Sequence, residues 1–184
     1  SFGATNGSIN LDVSGGTSPY TYLWNTGRTT QNLQNIGAGY YSVTVTDSKL
    51  CTASENWTLT QPEKLVVQLA PTASILCKGE STASLQSTVT GGVEPYSYQW
   101  KKDGQVLSET AETLEEIAAG VYTITVTDAN NIQIEASFTI SEPTLLVSAL
   151  TSKINVSCHG GNNGSIDINV SGGTSPYSYD WINV

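Results

Sequence analysis

Methionine is absent from this 184-residue chain, histidine occurs once and cysteine three times. A chain without Met does not begin at its own initiator, so a processed protein or a fragment is expected. One His and three Cys leave few groups for nucleophilic, acid–base or metal chemistry. Charge is scarce as well. Charged residues make up 12% of the chain, about half of the roughly 25% usual in globular domains. Cations are scarcest, 7 Lys+Arg against 16 Asp+Glu, giving a net charge of −9. Nucleic acid and anionic membranes both require clustered cations, so neither is an expected partner. No apolar run reaches the roughly 18 residues of a membrane span, and the first residues lack a basic and then apolar leader. Neither direct membrane insertion nor a retained signal peptide is expected. What the chain does have is 4 Trp, 9 Tyr and many Val, Ile and Leu, enough apolar surface to fill a core. Its length admits one to three domains.

Self-similarity decides the organisation. Ser14 to Trp24, Thr90 to Trp100 and Ser171 to Trp181 align without a gap on the pattern Gly-Gly-x-x-Pro-Tyr-x-Tyr-x-Trp. Their first glycines, Gly15, Gly91 and Gly172, are 76 and 81 residues apart. Ala38-Gly39-Tyr40-Tyr41 recurs as Ala119-Gly120-Val121-Tyr122, and Val43 to Asp47 as Ile124 to Asp128, both 81 apart. Gln61-Pro62 recurs as Glu142-Pro143. The five-residue difference falls between Trp100 and Ala119, so one loop of the second copy is enlarged. Three repeats of about 80 residues follow: 1–62, lacking the stretch that matches Leu65 to Leu76; 63–142, whole; and 143–184, which stops just after Trp181. Half a β-domain buries too little surface to stand alone, so the parent is expected to be a longer array.

Within each copy, apolar residues alternate with polar ones, the period of a strand. Ile9, Leu11 and Val13 do so, then Tyr20, Tyr22 and Trp24, then Tyr41, Val43 and Val45, then Trp57 and Leu59. Leu65, Val67 and Leu69 open the next copy in the same way. Gly-Gly, Asp-Ser and Asp-Ala-Asn-Asn turns punctuate these runs. Only Glu109 to Ala118 offers the option of a helical turn. The expected architecture is all-β: tandem immunoglobulin-like, Greek-key β-sandwich repeats. Trp24, Trp100 and Trp181 suit the space between two sheets. Tyr41 and Tyr122, each ending a Leu-x-x-Ile-x-Ala-Gly-x-Tyr run, suit a tyrosine corner, whose hydroxyl bonds back to the chain a few residues upstream. Asp47 and Asp128, at strand ends, fit acceptors for turn amides.

Candidate chemistry is thin. Cys77 and Cys158 share a repeat position that Ser1 holds in the first copy, and Cys51 holds a second position taken by Ile132 in the next. If these positions pair within a whole repeat, every Cys here has lost its partner. A vestigial or truncated disulfide of an exported protein is expected rather than a reactive or metal-binding thiol. Cys158 and His159 make no nucleophile–base pair, because neighbours in an extended segment point to opposite sides. No nucleophile elbow, phosphate loop or zinc spacing occurs, and no catalytic, cofactor-binding or metal site is expected. Tyr20, Tyr22 and Trp24 could stack on sugar rings, but core filling is the favoured role. Calcium at repeat junctions is the other option, with Asp47, Glu55 and Glu63 near the first and Asp128, Glu135 and Glu142 near the second. The dense acidic spacing of a hard-cation site is missing. The second copy carries most of the negative charge. Lys101, Lys102, Asp103, Glu109, Glu112, Glu115 and Glu116 in its enlarged loop read as a solvated face or a partner contact. Asn6, Asn56, Asn155 and Asn163 open Asn-x-Ser/Thr triplets, acceptors only where a host glycosylates them.

Together, Cys158 to Ser165 (Cys-x-Gly-x-x-x-Gly-Ser), Val170 to Trp181, Leu33 to Tyr41 and Val43 to Asp47 resemble the SprB-type repeat of large surface proteins in gliding Bacteroidota. The second copy departs most, with Val93-Glu94 for Thr-Ser, Ala83 for Gly and Ile132 where that family tends to Cys. The resemblance implies export by the type IX secretion system and display outside the cell as a filament. It also implies an adhesin that grips extracellular surfaces or polysaccharide while cell-surface motility machinery moves it. Tandem sandwiches with short linkers fit a semi-rigid stalk. The rival expectation is a carbohydrate-binding or spacer module of a secreted polysaccharide-degrading enzyme, separated from the first by whether the Trp rings are open or buried.

Overall fold

The computed structural model describes residues 1–182 and contains strands and turns, with no helix among them. By contact density the chain divides into two units. One comprises Ser1–Val66, Thr90–Tyr96 and Asp128–Ile132; the other comprises Val67–Val89, Ser97–Thr127 and Gln133–Val184.

The first unit holds β1 (Gly7–Ile9), β2 (Thr21–Trp24), β3 (Leu33–Ile36), β4 (Gly39–Thr46) and β5 (Thr52–Leu59). β1 pairs antiparallel with β3, while β4 is flanked antiparallel by β2 and β5. The chain thus crosses between two sheets, as in a Greek key. Ile9, Trp24, Leu33, Ile36, Tyr41 and Val43 form the buried core, with Trp57 and Leu59 packed against it. The Trp24 and Trp57 rings lie 6.0 Å apart, tilted at 41°.

The later strands fall in the second unit, apart from Val66 and Thr90 at strand ends. They are β6 (Val66–Ala73), β7 (Ala83–Thr90), β8 (Ser97–Lys102), β9 (Gln105–Val106), β10 (Thr113–Ile117), β11 (Gly120–Thr127), β12 (Gln133–Ile140), β13 (Val147–Ile154) and β14 (Ser165–Ser171). One sheet has the order β10-β7-β6 and another the order β12-β11-β8-β9. The chain changes sheet from β7 to β8, from β9 to β10 and from β10 to β11, which is immunoglobulin-like topology. Alternation explains the strands directly. Tyr122, Ile124 and Val126 are buried along β11, while the β-branched Thr123, Thr125 and Thr127 between them are only half-buried. Leu85, Trp100, Leu114, Ile117, Tyr122 and Ile124 are buried at the positions that Ile9, Trp24, Leu33, Ile36, Tyr41 and Val43 hold in the first repeat. Burying each such side chain stabilises by roughly 1.5–3 kcal/mol.

The structure corrects three expectations. Glu109 to Ala118 makes no helical turn; Thr113–Ile117 is strand β10, with Leu114 and Ile117 buried and Glu115 and Glu116 exposed. A bulge accounts for the helix-like spacing, since the register against β7 shifts between Leu114 and Ile117 and Glu116 takes a left-handed φ of 52°. Asn35, at φ 54°, holds the same place in the first repeat. The enlarged loop is not all loop, because Asp103 and Gly104, at φ 48° and 83°, turn β8 back into β9. In the third repeat Trp181 does not fill a core. Its β13–β14 hairpin carries exposed Leu150, Ile154 and Ile166, and Trp181 itself is 61% exposed.

Candidate functional site

The aromatic ladder is the first candidate, and the structure gives its rings different duties. Trp24 and Trp100 are 1% and 0% exposed, and their indole N–H groups donate to the Thr30 and Ala111 carbonyls at 2.7 and 2.9 Å. Tyr22 packs against the first core from a half-buried position. The leading tyrosines tie down the Gly-Gly loop instead. Tyr20 and Tyr96 donate to the Gly15 and Gly91 carbonyls, both at 2.6 Å, and Tyr177 donates to that of Gly172. The first two ladders therefore present no flat stacking platform; in the third repeat Tyr179 and Trp181 are exposed. The tyrosine corners form as expected, with Tyr41 donating to the Gly37 carbonyl and Tyr122 to that of Ala118, both at 2.9 Å.

Most of the carboxylates weighed as calcium ligands are engaged elsewhere. Asp47 accepts the Thr17, Lys49 and Cys51 amides at 2.9, 2.8 and 2.9 Å. Asp128 accepts those of Val93, Asn130 and Ile132 at 3.1, 2.9 and 2.8 Å. Both are the turn acceptors that their strand-end positions suggest. The Thr17 amide, followed by those of Cys51 and Lys49, holds the Asp47 carboxyl below its ordinary range, against an opposing push from burial. Glu135 accepts the Thr125 hydroxyl at 2.7 Å, and Glu55 and Glu63 are exposed. Among the described residues no three His, Cys, Asp or Glu converge as metal ligands would. Cys51, Cys77 and Cys158 are exposed and unpaired, and His159 is exposed.

Two contacts that no local sequence pattern marks fix where the chain comes into a repeat and where it leaves. Glu142, just before Pro143, accepts the Gly79 amide at 2.7 Å and the Lys78 ammonium at 3.0 Å. Gln61 does the same to the Gly3 amide at 2.7 Å in the first repeat. The Gly79 amide, then Lys78, holds the Glu142 carboxyl below its ordinary range. In the third repeat, the Gly173 amide donates to the Thr144 carbonyl at 2.8 Å. The chain thus leaves a repeat beside the loop preceding β7 and comes into one beside the loop following β14, the equivalent strand. The eight residues of β7 span roughly 26 Å.

The first repeat also has an open groove of roughly 350 Å³, lined by Leu11, Val13, Gly16, Tyr20, Val45 and Cys51 among others.

The SprB repeat family matches residues 2–29, 69–105 and 150–184. This chain belongs to the SprB repeat family. Each SprB match takes in a Gly-Gly loop or the start of its ladder, the features that recur structurally. A stretch of 67 residues is 36% identical to a decoration protein of Escherichia phage T5, covering 33% of this chain and 41% of the phage protein. Among solved structures, the chain is similar to three N-terminal domains of the outer capsid protein Hoc of bacteriophage RB49. That likeness has 19% identity and a TM-score of 0.49, and covers 91% of this chain and 64% of the other. A second likeness is to the N-terminal eight Ig domains of Down Syndrome Cell Adhesion Molecule, at 16% identity and a TM-score of 0.39, over 83% of this chain and 26% of that one. The chain spans less than two thirds of the length of each of these relatives.

Proposed function

We propose that this chain is a repetitive, load-bearing stalk and adhesive segment of a large cell-surface filament adhesin that serves attachment and gliding movement. Its three units are 1–62, 63–142 and 143–184. The parent reaches the outside of the cell through type IX secretion, and its partners are extracellular surfaces or polysaccharide on one side and the motility machinery on the other. Membership in the SprB family supports this, and one observation carries it: the ladder ends in Trp24 and Trp100 at 1% and 0% exposure. Rings so placed make domain cores, which a stalk needs, and leave none of the two flat to solvent for a sugar. Entry and exit at opposite ends of a roughly 26 Å strand also support transmission of tension. A pull on the chain would cross a repeat lengthwise and load its strands in shear. A non-catalytic role fits the same arrangement.

Glycan-array binding by the chain separates this from a carbohydrate-binding module of a secreted enzyme. A stalk predicts no glycan signal that depends on Tyr20, Tyr22 or Trp24. A signal lost on Tyr22→Ala, in protein that remains folded, contradicts it.

A further inference from the structure

The two repeat positions that carry cysteine lie at opposite ends of a repeat. In the whole second repeat, Cys77 sits in the loop before β7, beside Lys78 and Gly79, which bond Glu142 where the chain leaves. Ile132, at the Cys51 position, lies past the other end of β7. Its amide donates to Asp128, which also accepts the amide of Val93, just after Gly91-Gly92. The roughly 26 Å of β7 stand between the two positions. A disulfide requires α-carbons within about 7 Å, so no bridge can join them inside one repeat.

Across a repeat junction the same positions approach each other. The Thr174 hydroxyl, in the Gly-Gly loop of the third repeat, donates at 2.8 Å to the carbonyl of Leu76, the residue before Cys77. Thr174 holds the place of Thr17 in the first repeat. There the Thr17 and Cys51 amides bond the same Asp47 carboxylate, both at 2.9 Å. The Cys77 position thus touches the loop that, one repeat along, shares its anchor with the Cys51 position. The first junction follows the same route inside one compact unit, which groups Asp128–Ile132 with Ser1–Val66. Gln61 accepts the Gly3 amide at 2.7 Å, and two residues on the Glu63 carbonyl accepts that of Gly92 at 2.9 Å. At this junction the two positions hold Ser1 and Ile132, so both cysteines are missing together. Pairing within repeats would instead set Cys51 against Ser1 and Cys77 against Ile132, two broken pairs.

We infer that these are the two halves of a disulfide between successive repeats, a redox clasp at the junction and not a staple within a domain. In an array, Cys77 and Cys158 take the cysteine at the Cys51 position of the repeat that follows. The bridge forms by thiol–disulfide exchange. Two thiols give up two protons and two electrons to a small-molecule disulfide such as oxidised glutathione, which leaves as two thiols. A closed clasp ties neighbouring repeats covalently beside the Glu142 joint, and reduction releases it. The junction holding Ser1 and Ile132 stays open under any redox condition. This pairing goes beyond the stalk proposal and rests on the repeat geometry alone, so a failure of one leaves the other standing.

Peptide mapping of the whole 184-residue chain carrying both Ser1→Cys and Ile132→Cys tests this by competition. Ser1 is exposed and Ile132 is 39% exposed, so neither change empties a core site. The variant is equilibrated at low concentration in a glutathione redox buffer; its free thiols are then blocked, and the monomer is isolated and digested. The new thiol at position 1 can choose Cys51 in its own repeat or the new thiol at 132 in the next, which can itself choose Cys77. The 1–132 bridge is expected as the main product. Ser1→Cys alone should form no bridge to Cys51, and Ile132→Cys alone none to Cys77. A main product of 1–51 or 77–132 in any of the three variants overturns the inference, as does a double variant in which the 1–132 bridge does not form.

Discussion

The Glu142 carboxylate accepts the Gly79 amide at 2.7 Å, as the Gln61 side-chain oxygen accepts the Gly3 amide at the same distance one repeat earlier. A charged and a neutral side chain thus close the same joint, so the amide bond and not the ion pair with Lys78 is the shared element. Exposed ion pairs contribute little once screened. Glu142→Ala should lower the melting temperature, while Glu142→Gln keeps most of the wild-type value. Thermal unfolding of the two variants side by side checks this; equal losses would contradict it.

Removing the central ring should be far more damaging. Trp100→Ala is expected to cost roughly 3–5 kcal/mol, and Trp181→Ala close to nothing, because Trp181 is 61% exposed. Urea unfolding of both variants measures the contrast.

What is legible in the sequence follows from which interactions are local. The ladder, the tyrosine corners and the turn acceptors Asp47 and Asp128 announce themselves through residue type at fixed spacing; the corner hydroxyls bond four residues back and the two aspartates hold their own turns, although each aspartate also reaches a distant loop amide, Thr17 or Val93, that no local pattern announces. Glu142 and Gly79 are 63 residues apart, so no local pattern links them. The β10 bulge is hidden for another reason: Leu114 and Ile117 have helical spacing, and only the shifted pairing with β7 shows that the intervening residues bow outward. Asp103-Gly104 is a readable hairpin signal, masked by the charged insertion around it. Exposure of Trp181 reflects the third repeat having only its β13–β14 hairpin among the described strands.

The bulge makes a prediction of its own. Glu116 sits at φ 52°, where a side chain is strained, and its counterpart Asn35 at φ 54° is a residue type that tolerates the conformation. Glu116→Asn should therefore stabilise the second repeat by roughly 0.5–1 kcal/mol, part of the cost a left-handed residue bears. A lower urea midpoint for that variant would contradict the assignment.

Acid should weaken the first repeat through Asp47. Its pKa is lowered in the folded state, chiefly by the Thr17 and Cys51 amides, so the unfolded chain binds more protons in the acid window. The contribution is present in full above the ordinary carboxylate range and is lost as pH falls through the lowered value. Asp47→Asn should reduce stability at neutral pH and flatten the decline below about pH 4. Urea midpoints across that range give the slope.

Single-molecule stretching of the chain, held by its two ends, tests most directly whether these repeats carry load. Lengthwise shear of a closed sandwich predicts a discrete force peak for the second repeat, releasing on the order of 250 Å of chain, with Trp100→Ala lowering or abolishing that peak. Smooth extension at low force, with no event of that length, would contradict the account.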